Sequence, residues 1–207
     1  MPPLRIESQY FGSVLYIQQI ALANAAVIDV HEPFKKMSFR NRTTIISAQG
    51  PLLLTVPLQH GRDQKAPMQD VKICYAQNWP SKHIKALTSC YKRSPFFEYY
   101  EEGVRQLLQK EHLYLVDLNM SILSWLEKVL KIQCNISKST AAIPYLDASV
   151  KEVRDSSNFV DANQNNAIQV YPQVFSDKID FVPNVSILDL LFCMGPSANI
   201  YLKDSGL

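Results

Sequence analysis

The residues best suited to chemistry are concentrated in the segment 29–42, whose sequence is DVHEPFKKMSFRNR. His31 is followed directly by Glu32, and a carboxylate within reach of an imidazole can hold that ring in one tautomer. An imidazole held in this way can act as a general base near neutral pH. The alternative is a loop histidine that bonds only to the backbone. The sequence therefore makes His31 and Glu32 catalytic candidates.

Arg40, Asn41 and Arg42 end the same segment. If Asn41 points inward on a strand, the two arginine side chains share the opposite face. Two guanidinium groups on one face form a fork that suits a phosphate or a carboxylate. An edge strand with solvated charges is the alternative. The pattern favours a small-molecule substrate that bears phosphate or carboxylate groups.

A second polar cluster contains His60 and Arg62, separated by Gly61. Glycine lets the backbone approach a ligand closely because it carries no Cβ atom. His60 is thus a second candidate base, and Arg62 is a further candidate for anion binding. His83 follows Trp79 by four residues, which places both side chains on one face of a predicted helix. A packed structural histidine is an equally good interpretation there.

The elements predicted around these residues bring them together. The runs 43–47 and 52–56 flank a short Gly-Pro turn, which is typical of a β-hairpin. Antiparallel strands of equal length end side by side, so His60 should return to within about 10 Å of Arg42. We therefore expect His31, Arg42 and His60 to line one cavity.

A strand, a turn, a helix and a second strand are predicted to open the chain, at 4–8, 9–13, 14–24 and 26–30. This order predicts a parallel pair with a right-handed crossover, so that both strands end at one crevice. Gln9 and Tyr10 follow the first strand and should then lie beside His31 and Glu32. We count both among the substrate-binding candidates.

The rest of the chain predicts a helical middle section and a structured tail. Helices are predicted at 81–92, 95–110, 113–130 and 185–194, and further strands at 71–75 and 133–137. The polar stretch 155–169 is interpreted as a solvated loop, with a mobile lid over the site as the alternative. Together the elements predict a single α/β domain over residues 1–207, with a central mixed, partly parallel sheet and an early β-hairpin.

Composition restricts the class of protein. Of the 207 residues, 47% are hydrophobic and 19% are charged, as in soluble globular proteins, and the net charge is +2. This balance favours neither nucleic acid nor a membrane surface as a partner. The four cysteines lie far apart among apolar residues, which predicts buried free thiols in the reducing cytoplasm. The histidines lack ligand spacing and the glycine-rich nucleotide motifs are absent, so we expect neither a tightly bound metal nor a cofactor.

Ordered blocks along most of the chain resemble a known family. They are YFGSVLY, HEPFKKMSFRNR, LTVPLQHGR, SPFFEYYEE, YPQVF and FVPNVSILDLLFCMGP. In this order they resemble the WbqC-like family, and in particular its Bacteroidetes-type branch. One departure lies in the first turn, where many relatives have Gln-Pro-Tyr and this chain has Ser8-Gln9-Tyr10.

The resemblance implies a bacterial protein of surface-polysaccharide synthesis, since the family is named from genes of O-antigen and related clusters. The implied activity is a transferase that moves a glycosyl, acyl or aminoacyl group on an activated or anionic sugar. A non-catalytic ligand-binding or scaffold protein of the same pathway is the alternative, and the sequence leaves this choice and the oligomeric state open. By motif position, the family's recurring polar residues fall on Tyr10, His31, Glu32, Lys36, Arg40, Asn41, Arg42, His60, Arg62, His83, Tyr91, Gln173, Ser186 and Asp189. Through this resemblance alone, Lys36 and Asp189 join the substrate-binding candidates.

Overall fold

The structure is a computed structural model that describes residues 3–61, 64–142, 151–153 and 168–204. Arg62, one of the expected anion-binding residues, lies outside the described residues. Almost all of the polar stretch 155–169 lies outside them as well, and with it the choice between a loop and a lid.

The described part of the chain confirms the predicted α/β class. Its strands are β1 (Leu4–Ile6), β2 (Ala25–Ile28), β3 (Arg42–Ser47), β4 (Gly50–Thr55), β5 (Asn135–Lys138) and β6 (Lys151–Val153). Its helices are α1 (Val14–Leu22), α2 (Trp79–Tyr91), α3 (Phe97–Gln109), α4 (Leu115–Val129), α5 (Ile187–Met194) and α6 (Ala198–Lys203). Short 3-10 turns lie at Met68–Asp70 and Gly195–Ser197.

The main sheet has the strand order β5-β2-β1-β6, and each neighbouring pair is parallel. The apolar residues Leu4, Ile6, Ala26 and Ile28 of its two middle strands are at most 3% exposed. Strands buried in this way need helices or loops on both faces, which explains their short, mainly aliphatic sequences. The expected mixed sheet is corrected in one respect, because the antiparallel hairpin forms a separate sheet.

The crossover from β1 to β2 follows the predicted β-α-β order. Ser13 caps α1, and its Oγ atom accepts a hydrogen bond from the Tyr16 amide at 3.4 Å. The helix ends at Leu22 rather than at the predicted residue 24 because Ala23 is already extended, with φ −90° and ψ 146°. The parallel register Ile6↔Ile28 then brings the carboxyl ends of both strands to one edge.

The predicted β-hairpin is confirmed. β3 and β4 are antiparallel with Arg42 opposite Thr55 and Ser47 opposite Gly50, so the turn lies at residues 48–49. Gly50 has a φ of +110°, which a residue with a Cβ rarely adopts. The bond from the Val56 amide to the Asn41 carbonyl, 2.8 Å long, extends the pairing by one step beyond Arg42.

The helical middle is confirmed, and its helices bury apolar stripes that include Leu87, Val104 and Ile122. The strand predicted at 71–75 is wrong. Lys72 and Ile73 make only isolated bridges, to Tyr114 and Leu58 respectively. Because this segment divides its backbone bonds between two different neighbours, it forms no continuous ladder.

All four cysteines are free. Cys90 and Cys134 are buried as predicted, whereas Cys74 and Cys193 are partly exposed. Within the described ranges, every helix is too short or too polar to traverse a lipid bilayer.

Candidate functional site

Polar residues directly follow three neighbouring parallel strands. Glu7 follows β1, Asp29 follows β2 and Ser139 follows β5. The Asp29 amide donates to the Ile6 carbonyl at 3.1 Å, and the Ser139 amide donates to the Ile28 carbonyl at 2.9 Å. The strand ends therefore form one edge, which is where open α/β sheets bind ligands.

Arg5 and Asp29 form a buried ion pair across this edge. Each of these residues is only 2% exposed. The Oδ1 atom of Asp29 also accepts hydrogen bonds from the His31 amide at 3.0 Å and from the Ser139 hydroxyl at 3.3 Å. Asp29 thus holds the backbone at the point where the chain leaves β2 and reaches His31.

Arg40 joins the two other carboxylates of this edge. Its Nε and Nη2 atoms donate to Oε1 of Glu32 at 3.1 and 2.8 Å, and its Nη1 atom lies 2.9 Å from Oε2 of Glu7. The side chains of Glu7, Glu32 and Arg40 are at most 7% exposed. Removing ions from water costs several kcal/mol each, so a buried cluster of this kind marks a candidate functional site.

Hydrogen bonds hold the backbone around this cluster. Gln9 donates from Nε2 to Oε1 of Glu7 at 3.1 Å, and Tyr16 donates its hydroxyl to the Glu7 carbonyl at 2.7 Å. Asn119 of α4 donates from Nδ2 to the Ser8 hydroxyl at 2.7 Å and to the Arg40 carbonyl at 2.9 Å. Gln9 is therefore at the predicted edge, and its amide orients a carboxylate.

Two non-glycine residues beside the cluster have a positive φ. Phe11, in the β1–α1 turn, has a φ of 41°, and Met37, in the 29–42 segment, has a φ of 58°. The Phe11 carbonyl accepts hydrogen bonds from the hydroxyls of Thr43 and Ser186, at 2.9 and 3.1 Å, which stabilise its unusual conformation. Such conformations cluster at binding and active sites.

Tyr10, Trp79 and His83 form a buried aromatic group beside the base of the hairpin. The Tyr10 hydroxyl lies 2.9 Å from Nδ1 of His83, and the His83 ring also bonds the Thr55 backbone. Burial lowers the pKa of His83 to about 4, so the ring is neutral at pH 7, and burial raises the pKa of Tyr10. A neutral ring that donates to a backbone carbonyl from one nitrogen accepts a hydrogen bond from the Tyr10 hydroxyl at the other, Nδ1. The structure thus brings together two predicted site residues, Tyr10 and His83, in a packed arrangement.

The two arginines that were expected to form a fork occupy different environments. Arg40 belongs to a turn and bonds Glu32, whereas Arg42 begins β3 and is partly exposed. The predicted fork required residues 40–42 to lie on one strand, with alternate side chains on opposite faces. The strand begins only at Arg42, so Arg40 and Arg42 do not share a strand face. The buried Nε atom of Arg42 forms no hydrogen bond with a described residue. Asn41 donates to the Val56 carbonyl at 2.9 Å, which stabilises the hairpin base.

The remaining candidates of this region differ in exposure. His31 is partly exposed, and Lys36 and His60 are exposed. Lys36 lies on the same loop as His31, while His60 lies five residues beyond the end of β4. The cavity that His31, Arg42 and His60 are expected to share stays a prediction.

Asp189 lies outside the 29–42 loop, on α5. It is fully buried on α5, and it accepts hydrogen bonds from the Tyr91 and Tyr171 hydroxyls at 2.8 Å each and from Gln173 Nε2 at 2.9 Å. Burial raises the pKa of Asp189, and these three bonds oppose that shift. The Tyr91 hydroxyl also accepts from the Ile46 amide at 3.0 Å. The Asp189 carboxylate therefore ties α5 to α2 and to β3.

Sequence reasoning missed Arg5, Glu7, Asp29 and Asn119 as members of the site. Arg5 was the clearest signal, because it interrupts a short apolar strand between Leu4 and Ile6. Strands of a buried parallel sheet are almost entirely apolar, so a charge within one needs a partner.

In the ranges that the structure describes, no three His, Cys, Asp or Glu side chains are grouped so that they could hold a metal ion.

Comparison with known proteins gives one family and one full-length relative. Residues 7–164 match the WbqC-like protein family. The chain is 25% identical over 226 aligned residues to the uncharacterized protein Rv1507c of Mycobacterium tuberculosis, and the match covers 96% of each chain. No solved structure matches this chain. The strand-end cluster from Glu7 to Arg40 lies within the matched region, and the protein belongs to the WbqC-like family.

Proposed function

We propose that the protein is a group transferase that acts on an activated or anionic sugar in surface-polysaccharide synthesis. The site is the carboxyl edge of the parallel sheet, formed by the β1–α1 turn and the 29–42 loop. The substrate is a small molecule that carries phosphate or carboxylate groups and is met in the cytoplasm. Neither nucleic acid nor a membrane takes part.

The observation that carries the proposal is the environment of Arg42. Its Nε atom is buried and bonds no described residue, although buried donors are nearly always paired. Arg42 as a whole is partly exposed and directly follows the 29–42 loop's turn, and a guanidinium that solvent can reach is suited to an anionic oxygen of a ligand. Lys36, on the exposed part of the same loop, adds positive charge.

The buried ions support the proposal by holding the loop. Arg40 is bound to Glu32 and Glu7, so it positions backbone instead of reaching for substrate. Asp29 accepts a hydrogen bond from the amide of His31, a partly exposed residue. Buried bonds that fix the backbone, with a few accessible side chains beside them, can hold reacting groups in the orientation that speeds a reaction.

In the proposed reaction, a hydroxyl or amine of the acceptor attacks the activated carbon of the donor. His31 takes the proton that the nucleophile loses. The bond between that carbon and its leaving group breaks, and the leaving group departs as an anion with the bonding electrons. Arg42 and Lys36 stabilise this negative charge. The sugar class rests on the resemblance of the chain to proteins of surface-polysaccharide clusters.

A non-catalytic binding protein of the same pathway is the second candidate. It is favoured by the bonds of Glu32, because Oε1 of this carboxylate accepts two hydrogen bonds from Arg40. If Glu32 is to orient the ring of His31 as a general base, one of its oxygens has to accept a hydrogen bond from that ring. In this case the same residues would bind the ligand without transferring a group.

A thermal-shift panel of nucleotide sugars, acyl-CoAs and free nucleotides tests the proposal. A ligand at about 100 times its dissociation constant adds about 2.7 kcal/mol to the free energy of unfolding. We expect a shift with an activated sugar that Arg42→Gln reduces strongly. His31→Ala should then abolish turnover and leave binding intact. If the unaltered protein binds the sugar without turnover, and His31→Ala only weakens that binding, the binding protein is favoured. If no sugar shifts the melting temperature, both candidates are contradicted.

A further inference from the structure

A cleft lies outside the strand-end site. It has a volume of about 330 Å³, and the α2–α3 corner, the segment 172–178 and Cys193 of α5 form its walls. Small-molecule pockets begin at about this size. None of the residues assigned to the strand-end site lines this cleft.

Hydrogen bonds fix the walls of the cleft. Gln173 is 8% exposed, and its side chain bonds Asp189 at 2.9 Å and both backbone groups of Val182 at 3.0 Å. On the opposite wall, the Ser94 hydroxyl donates to the Tyr91 carbonyl at 2.7 Å. The Val174 amide bonds the Cys193 sulfur. The cleft is therefore formed before any ligand binds, which lowers the entropic cost of binding.

The lining combines apolar and charged groups. Pro95, Pro172, Val174, Phe175 and Cys193 supply the apolar part. Burial, together with the nearby Asp189 carboxylate, raises the pKa of Cys193, so this thiol is a neutral apolar wall at pH 7 instead of a nucleophile.

Three charged side chains line the same cleft, namely Arg93, Lys178 and Asp177. Among the residues that the structure describes, none of the three forms an ion pair. Two cations against one carboxylate give the cleft an excess of one positive charge. A ligand with an apolar body and one anionic group matches both parts of this lining.

We propose that this cleft is a binding site for a small amphipathic organic anion, whose apolar body packs against Val174 and Phe175 and whose carboxylate or phosphate meets Arg93 and Lys178. The proposal is independent of the transferase function, since it uses no residue of the strand-end site.

Binding of octanoate, octyl phosphate and neutral octanamide, measured by titration calorimetry on the full chain, tests the proposal. Octanoate and octyl phosphate separate a carboxylate from a phosphate ligand. We expect at least one of them to bind more tightly than octanamide. Arg93→Gln and Lys178→Gln should each weaken its binding by about 1.5- to 5-fold, the range of exposed ion pairs. Asp177→Asn should strengthen it by a similar factor.

Lys92→Gln is the matched control, because Lys92 is exposed beside Arg93 and does not line the cleft. This substitution should leave the affinity unchanged, and so should Arg42→Gln in the strand-end site. The proposal is overturned if neither anion binds, or if both cation substitutions leave the affinity for the anion unchanged.

Discussion

Arg40 shows how single residues define the site. Its guanidinium lies between Glu7 and Glu32, its side chain is 4% exposed, and its carbonyl accepts a hydrogen bond from Asn119. A buried ion pair seldom adds much net stability, but the loss of one partner leaves a charge without compensation. Removal of Arg40 would leave the Glu7 and Glu32 carboxylates buried without a compensating charge, and Arg40 is therefore needed to keep the loop in this conformation.

Arg40→Gln should destabilise the protein by about 3–5 kcal/mol, because two buried carboxylates lose their cation. Urea unfolding followed by circular dichroism measures this change. Arg105→Gln is the matched control, since Arg105 pairs with Glu101 at the surface and should cost at most about 1 kcal/mol. Equal costs for the two substitutions would show that the buried cluster does not stabilise the fold.

His83 gives a prediction about pH. Burial lowers its pKa in the folded protein to about 4, whereas an unfolded histidine has a pKa near 6.5. Between these values the unfolded chain binds a proton that the folded protein does not, so stability falls as the pH decreases through this window. The contribution amounts to about 3 kcal/mol at its limit.

The measurement compares unfolding of the wild type and His83→Gln at pH 7 and pH 4.5. We expect the wild type to lose more stability than the variant between the two values. An NMR titration of the His83 ring follows the same group directly and should give a midpoint near pH 4. A midpoint near 6.5 would mean that this ring is not buried as described.

At the scale of elements, hydrogen bonds between helices and the hairpin set the relative positions of α2, α5 and β3. The Tyr91 hydroxyl of α2 donates to Asp189 of α5 and accepts from the Ile46 amide of β3. Tyr171, from the segment before α5, donates to the other carboxylate oxygen. One carboxylate thereby connects elements that are far apart in the chain.

Tyr91→Phe should destabilise the protein more than Tyr171→Phe. The first change removes a donor to Asp189 and the acceptor of the Ile46 amide, and each buried group left unpaired costs about 1–3 kcal/mol. The second change removes one donor from an oxygen that Gln173 still bonds. Chemical denaturation of both variants gives the order, and the reverse order would contradict the assigned network.

Local sequence patterns predicted most of these elements. The apolar spacing of α1 and α4, the Ser13 cap and the β3–β4 hairpin depend on neighbouring residues, and all of them are present. The segment 71–75 has the composition of a strand, but its bonds depend on partners that are remote in the chain. Composition therefore could not show that it forms only isolated bridges.

The location of the candidate site could be predicted from the sequence, but the ion pairs within it could not. The position of the 29–42 loop follows from the end of β2, and the parallel pairing of β1 places Glu7 beside it. The pairing of Arg5 with Asp29 depends on the strand register, and that of Arg40 with Glu7 depends on the path of the loop. Asp189 became a substrate-binding candidate only through the family resemblance, and its hydrogen bond with Tyr91, 98 residues away in the chain, is one that no local spacing reveals.

At the scale of the whole molecule, the proposed strand-end site and the preformed cleft have no lining residue in common. The first combines buried ions with the unused donor of Arg42. The second combines apolar walls with Arg93 and Lys178. Ligands of the two sites should therefore bind independently, and variants of one site should leave the other intact.

Amide hydrogen exchange, read by mass spectrometry, tests whether the substrate binds at the carboxyl edge of the parallel sheet. The protein is compared with and without the nucleotide sugar that gives the largest thermal shift. We expect slower exchange in the peptides that cover residues 7–13 and 29–42, and loss of this protection in Arg42→Gln. Protection that is absent from both peptides, or confined to residues 172–178, would contradict the assignment of the substrate site to the carboxyl edge of the sheet.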